Sequence, residues 1–426
     1  MRDEMKKLQA QVGENGQLIF PEEFNLRYGL KPGTQVYVDE TAKGPRLRLP
    51  ITHLKKVYIE PTNRCNLDCR TCMRKVWDEP LGQMSRETFS RIIEGLRDFL
   101  PPPTVFFGAL GEPLAHPDIL DMVVQAKTLG SSVELITNGT LLTKDLSKQL
   151  IDAGLDMLWV SLDGATSESY GDVRLGAMFP EVVANLKAFR DARWSNPSPL
   201  PFLGFQVKPE IGIVFVAMKR NIHELPSLLT LATKLGVNRV LVSNVLPYTD
   251  EMGKEVLYSR SLTDIVYQSS VFRLDLPKID IDETTKKSLY LSMHARHSIS
   301  FVSGHLWERN DYCPFIENGA TAISWEGNLS PCLPLLHSHT SYFDGIERVS
   351  RHYTVGNVNG HLVQDLWNRP EYLNFRERVQ TFDFAPCTYC GSWSCSLFWE
   401  NKEDCLGNSF PTCGGCLWAQ GVIQCP

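Results

Sequence analysis

The sequence predicts an α/β protein: a partial (β/α)6 TIM-like barrel between a small β-rich N-terminal unit and a cysteine-rich C-terminal domain held by metal. Three observations predict it. Six apolar strand candidates alternate with stretches of helical period between residues 57 and 246. The first fifty residues carry short apolar alternations broken by three turn signals. From Asp311 onward Cys, Trp and Gly become dense and periodicity fades, the composition of a domain without a large apolar core.

In the N-terminal unit the turns fall at Gly13 to Gly16, at Pro32-Gly33 and at Lys43-Gly44-Pro45. Strands are expected at Gln17–Phe20, Gln35–Val38 and Arg46–Leu49, with a short helix over Pro21–Tyr28 closed by Gly29. The barrel strands follow at Val57–Glu60, Thr104–Ala109, Val133–Thr137, Met157–Leu162, Ile211–Ala217 and Arg239–Leu246. Between them one helix carries Ile92, Ile93, Leu96 and Phe99 and stops at Pro101-Pro102-Pro103. The next carries Ile119, Met122, Val123 and Ala126, with Gly130 past its end. A third opens at Thr143 and ends at Gly154, and two more cover Val182–Phe189 and Leu225–Leu235. Ligands of such a barrel sit at the C-terminal ends of its strands. The expected divisions are 1–50, a barrel over 51–250, a helical linker over 251–310 and the cysteine-rich domain over 311–426.

The chain has 426 residues, a net charge of −6, 43 % hydrophobic and 22 % charged residues. These values exclude a mostly disordered or fibrous chain. The longest apolar run, Ile211 to Met218, falls far short of the roughly 20 residues that cross a bilayer. The N-terminus lacks an apolar secretory segment, so a cytoplasmic location without membrane contact is expected. The acidic balance argues against nucleic acid as a partner.

Twelve cysteines are placed unevenly: Cys65, Cys69 and Cys72, none for 240 residues, then nine from Cys313 to Cys425. In a reducing compartment such clusters read as metal or redox ligands, and the disulfide alternative would require export. Three thiolates in a Cx3CxxC loop just after the first strand can ligate three irons of a [4Fe–4S] cluster and leave the fourth open. The alternative is a zinc knuckle, which needs a fourth ligand; the closest histidine in sequence, His53, lies beyond the first strand. The C-terminal nine are Cys313, Cys332, Cys387-x2-Cys390-x4-Cys395, Cys405, Cys413-x2-Cys416 and Cys425. AISWEGNLSPC reads as a hairpin turning at Glu326-Gly327-Asn328. Cys387-x2-Cys390 with Cys413-x2-Cys416 also reads as a zinc-ribbon pair. His337, His339, His352 and His361 show no ligand spacing, and most of them read as solvent-facing. Trp393, Trp399 and Trp418 read as small-domain core, or as walls around clusters.

The Cys65–Cys72 motif resembles the radical S-adenosylmethionine (SAM) superfamily. That resemblance implies an open iron holding the amino acid end of SAM, reductive cleavage to a 5′-deoxyadenosyl radical, and hydrogen abstraction from a substrate. It extends to the strand ends. Gly111-Glu112-Pro113 resembles the segment that meets the SAM amino group, although Leu110 replaces its first glycine. Asn138 belongs to the turn after the third strand. Ser161 and Asp163 are implied to bind the ribose, and Arg174 the carboxylate. Thr71 stands where the family usually has an aromatic residue beside the adenine, so that contact is left unassigned.

The C-terminal cysteines resemble the SPASM extension, which holds one or two auxiliary [4Fe–4S] clusters. Spacing after Cys390 is one residue short, and nine thiols exceed the eight that two clusters need. Which cysteines form which cluster stays open at this point. The first fifty residues resemble the AbrB-like swapped-hairpin domain; eight basic and seven acidic residues leave +1, too little for duplex binding, and a homodimer or substrate-recognition role is expected. The whole looks like the radical SAM maturases linked to tungsten-dependent oxidoreductases. A peptide or protein substrate and reduced ferredoxin or flavodoxin as electron donor are implied. The alternatives are a radical SAM enzyme on a small molecule and a redox-sensing DNA-binding regulator.

Overall fold

The computed structural model describes residues 9–28, 30, 32, 34, 36, 38–41, 44–195, 207–258, 283–285, 287–288, 312–343, 346–385, 387 and 395–426. Most of the expected linker at 251–310 lies outside the described residues, as does Cys390.

Two hairpins and a helix open the chain. β1 (Gln11–Val12) pairs with β2 (Leu18–Ile19), α1 covers Glu22–Arg27, and β3 (Val38–Thr41) pairs with β4 (Gly44–Leu47). Of the strand expected at Gln35–Val38, Gln35 and Tyr37 lie outside the described residues; Val38 pairs with Leu47, and the pairing continues through Thr41 opposite Gly44. The expected turn residues Gly44 and Pro45 consequently belong to a strand, because cross-strand hydrogen bonding sets a hairpin's limits more strongly than local composition. Arg48 donates to the Glu317 carboxylate at 3.2 Å, and the Gln380 amide donates to the Leu49 carbonyl at 3.1 Å.

Six strands then lie side by side in chain order, all parallel: β5 (Lys56–Ile59), β6 (Thr104–Phe107), β7 (Val133–Thr137), β8 (Met157–Ser161), β9 (Glu210–Ala217) and β10 (Arg239–Asn244). Each begins within one residue of its expected start. β8 is buried at all five positions, the pattern of a parallel strand covered on both faces. The connecting helices are α2 (Arg86–Leu96), α3 (Ile119–Thr128), α4 (Lys144–Asp152), α5 (Ser167–Val173), α6 (Phe179–Ser195) and α7 (Leu225–Lys234). Ser85 caps α2 by accepting from the Thr88 amide at 3.1 Å, and Thr143 caps α4 through Leu146. Such caps contribute about 1 kcal/mol each.

The same sheet continues past β5. β11 (Ala320–Ile323) pairs with it in parallel, followed by β12 (Asn328–Ser330) and β15 (Gly356–Asn357). β11 and β12 form the expected hairpin, with Gly327 in the turn at φ +88°. β13 (His339–Phe343) and β14 (Ile346–Ser350) form a separate hairpin. The last residues bridge the two ends of the six-strand run. Asn244 donates to the Val422 carbonyl at 2.9 Å, the Gln424 amide N–H donates to Ser243 at 3.1 Å, and the Tyr58 hydroxyl donates to the Pro426 carbonyl at 2.7 Å. No helix among the described residues is long and apolar enough to cross a membrane.

Candidate active site

The loop that carries Cys65, Cys69 and Cys72 leaves β5 and is held from three sides. Asp68 and Arg70 donate backbone N–H groups to the carbonyls of Leu175 and Val173 at the end of α5. Asn66 donates to Thr140 at 2.7 Å, and Asn138 donates to Asn66 at 2.9 Å. On the third side Glu112 N–H donates to the Arg64 carbonyl at 2.8 Å. Gly111 permits that approach: a methyl group there would sit 2.0 Å from the Thr62 carbonyl oxygen and 2.7 Å from that of Arg64. Gly111→Ala is therefore expected to push the two loops apart and to cost about 1–3 kcal/mol, as overpacking does. Thermal denaturation beside a SAM-binding measurement checks it; unchanged values in both would contradict the close approach.

The three thiols line one cavity of about 210 Å³. Its wall also includes Thr71, Arg74, Gly111, Glu112, Ile136, Asn138, Ser161, Arg174, Val216 and Tyr248. Each sulfur faces a donor. Leu67 N–H and the Asn138 amide lie 3.5 and 3.8 Å from Cys65 Sγ, Arg174 Nη1 lies 3.9 Å from Cys69 Sγ, and the Arg74 N–H faces Cys72. Burial pushes the Cys69 and Cys72 thiols up, with Arg174 opposing the shift at Cys69. Donors aimed at sulfur, a cation beside it and space in front suit a thiolate-bound cluster. Among the described residues no three His, Cys, Asp or Glu groups close on one metal-ion position; the thiols line a wall instead.

Of the expected SAM contacts, Gly111, Glu112, Asn138, Ser161 and Arg174 reach this cavity, while Pro113 and Asp163 do not line it. Pro113 begins a short 3-10 turn whose first N–H, that of Leu114, donates to the Glu112 carboxylate. That carboxylate accepts from Leu114 N–H, Thr137 hydroxyl and Asn138 N–H at 2.8–3.0 Å; burial pushes its pKa up against these bonds. Asp163 is fully buried behind Arg174. It accepts from Arg174 Nε at 2.7 Å and from Val216 N–H at 2.8 Å, so its carboxylate aims the guanidinium at Cys69 and the cavity. Tyr248, Val216 and Arg74 were not anticipated, because nothing in their local sequence marks them; they reach the cavity from separate loops and strands.

The C-terminal thiols separate into groups. Cys313, Cys332, Cys413 and Cys416 line a second cavity, which is largely apolar and walled in part by Trp418. Backbone N–H groups face three of these sulfurs: Phe315 and Ile316 at Cys313, Leu335 at Cys332, and Trp418 and Ala419 at Cys416. Burial pushes the Cys313 thiol up to about 12. Four thiols on one cavity, three of them faced by N–H donors, fit a tetrathiolate cluster. Cys387 neighbours Cys395 and Cys405, and burial pushes it up to about 11; Cys390 lies outside the described residues. Cys413 and Cys416 stand with Cys313 and Cys332; the zinc-ribbon pairing also involves Cys390, outside the described residues. Cys425 does not line the second cavity, but its thiol is within electrostatic reach of Cys416 and Lys56 and accepts from Trp418 Nε1 at 3.3 Å.

The histidines correct the solvent-facing expectation: His352 and His361 are exposed, but His337 and His339 are buried. His337 lies between two carboxylates, with Nε2 2.9 Å from Glu60 and Nδ1 bonded to Glu79. Glu60 directly follows β5, and Glu79 follows the cluster loop, so this imidazole ties both to the segment after Cys332. Burial pulls its pKa down, but the hydrogen bonds and charges of Glu60 and Glu79 outweigh that and leave it above the ordinary value. A raised folded pKa stabilises fully below the unfolded value and is lost as pH rises through the folded one. The stability gap between the wild type and His337→Gln is expected to be widest below pH about 6.5 and to shrink on alkalinisation. Urea titrations at several pH values check it; a gap that grows with pH would contradict it.

A parallel barrel with three thiols at the mouth and a thiol-lined second lobe defines a class of iron–sulfur enzymes that keep one cluster beside a small-molecule cavity. The chain belongs to the radical SAM superfamily: residues 59–204 match that family, and residues 313–396 match the SPASM iron–sulfur cluster-binding domain. It is 32 % identical over 378 residues to the tungsten-containing aldehyde ferredoxin oxidoreductase cofactor-modifying protein of Pyrococcus furiosus, an alignment covering 88 % of this chain and 97 % of that one. Streptococcus suis SuiB bound to S-adenosylmethionine shares the fold at TM-score 0.53 and 17 % identity, over 80 % of this chain and 71 % of that one. Native anSMEcpe with bound AdoMet and the Cp18Cys peptide does so at TM-score 0.52 and 16 % identity, over 80 % and 86 %. The cofactors of this family are a SAM-binding [4Fe–4S] cluster, SAM itself and auxiliary iron–sulfur clusters.

Proposed function

We propose that this chain modifies a peptide or protein by radical chemistry, in the maturation of a tungsten-dependent oxidoreductase. The observation that carries it is the convergence of Cys65, Cys69 and Cys72 with Gly111, Glu112, Asn138, Ser161 and Arg174 on one cavity. In this reading the three cysteines hold the cluster. When bound, that cluster supplies the electron that cleaves SAM to the 5′-deoxyadenosyl radical. The Gly111–Glu112 segment receives the SAM amino group, Arg174 its carboxylate and Ser161 a ribose hydroxyl. Asp163 pairs the charge of Arg174 and keeps it aimed. The substrate class is supported by the name of the Pyrococcus relative and by a SuiB structure with precursor peptide SuiA.

Cys313, Cys332, Cys413 and Cys416 are assigned to one auxiliary cluster, and Cys387, Cys390, Cys395 and Cys405 to the other, leaving Cys425 outside both. Reduced ferredoxin or flavodoxin is the electron donor in a cytoplasmic setting. The division of the chain at 50, 250 and 310 is retained. The N-terminal unit exposes Val12, Leu18, Ile19, Leu26 and Val38, which supports a homodimer through that face. Combining Leu18→Asp with Val38→Asp is expected to convert a dimer to a monomer in analytical ultracentrifugation; unchanged mass would contradict this surface. The functional test is anaerobic incubation of reduced, reconstituted protein with SAM. 5′-Deoxyadenosine should form, and a partner oxidoreductase or peptide should change mass; no 5′-deoxyadenosine would end the proposal.

A further inference from the structure

Arg348 lies in the middle of β14 and is only 8 % exposed. It lines the cavity that Cys313, Cys332, Cys413 and Cys416 share. Its guanidinium lies against the turn between Cys413 and Cys416: a methyl group on Gly415 would come within 3.0 Å of its Nη2. Nε donates to the Phe398 carbonyl at 3.2 Å, and Cζ stands 4.8 Å from the Phe398 ring, one turn beyond Cys395. Cys387, from the other group of thiols, is also within electrostatic reach. Among the described residues no carboxylate pairs with this cation. The nearby imidazole of His339, pulled down to about 4 by burial, is neutral near pH 7 and adds no charge.

A buried guanidinium without a counter-anion is strongly unfavourable. Arginine keeps its proton in proteins, so neutralisation is not an escape. The anions within reach are the thiolates, Cys413 and Cys416 in the cavity it lines and Cys387 beyond them. We propose that Arg348 is the counter-cation of the auxiliary cluster site at Cys313, Cys332, Cys413 and Cys416 and raises its reduction potential. This rests on the assignment of those cysteines as cluster ligands. Reduction adds one electron and no proton, so the reduced cluster is the more negative form. A fixed cation at short range stabilises that form more than the oxidised one. Arg348 is thus a positioning and potential-setting residue, and it does not touch SAM.

The test is a redox titration followed by electron paramagnetic resonance on the full-length, anaerobically reconstituted protein. Wild type, Arg348→Gln and Arg348→Lys are compared. The Gln variant should move the midpoint of that auxiliary cluster to more negative potential and leave the SAM-cluster midpoint in place, while the Lys variant stays near wild type. Unchanged midpoints in Arg348→Gln, or equal shifts in both variants, would overturn the proposal. Loss of auxiliary iron from Arg348→Gln alone supports the charge role; loss from both variants overturns it, because shape then suffices. If wild type shows only the SAM-cluster signal, the ligand assignment itself has failed, and this inference falls with it.

Discussion

Cys69→Ala is expected to abolish SAM cleavage while the auxiliary iron stays bound. Cys69 is the central thiol of the motif. It is buried, faces Arg174 Nη1 and shares its cavity with Cys65 and Cys72. Only three thiols are present there, so removing one leaves two, and the cluster loses the geometry that exposes one iron to a ligand. Cys313, Cys332, Cys413 and Cys416 line a separate cavity that shares no lining residue with the first. 5′-Deoxyadenosine should therefore fall below detection by chromatography. Iron should fall by about one cluster's worth, and the auxiliary signals should persist in electron paramagnetic resonance. Retained cleavage would refute the assignment of the motif, and loss of all iron would refute the independence of the sites.

Asp163→Ala should produce the largest loss of stability. The carboxylate has no solvent exposure, holds Arg174 at 2.7 Å and accepts the Val216 amide. Removing one partner of a buried ion pair leaves the other charge uncompensated, at about 3–5 kcal/mol. The guanidinium should then swing toward the cavity or toward Cys69, and SAM affinity should drop with stability. Urea denaturation of the holoprotein measures the first effect and SAM titration the second. The double variant Asp163→Ala/Arg174→Met should recover part of the lost stability without recovering SAM binding. A single variant as stable as wild type would show that Asp163 does not carry the charge of Arg174.

Asp163 marks a boundary in what could be read from residues alone. The turn Ser161-Leu162-Asp163-Gly164 was legible at the end of the fourth barrel strand, and Ser161 does line the cavity. The direction of the Asp163 side chain was not legible, because it depends on Arg174, eleven residues later, and on the β9 amide at Val216. The histidines behave in the same way. His337 has no ligand spacing, and its burial follows from two carboxylates that precede it by more than 250 residues.

Sequence by itself determined the alternating β/α core, the chain order of its six strands and the three-thiol motif after the first of them. Those features are local: strand and helix periods repeat within a few residues, and a ligand loop is set by spacing along one segment. Tertiary structure alone decided that Cys313, Cys332, Cys413 and Cys416 line one cavity, that the final residues bridge β10 to β5, and that Arg348 lines that same thiol cavity. Each of these depends on segments far apart in the chain being packed together, where burial removes water and makes a neighbour's charge the dominant influence.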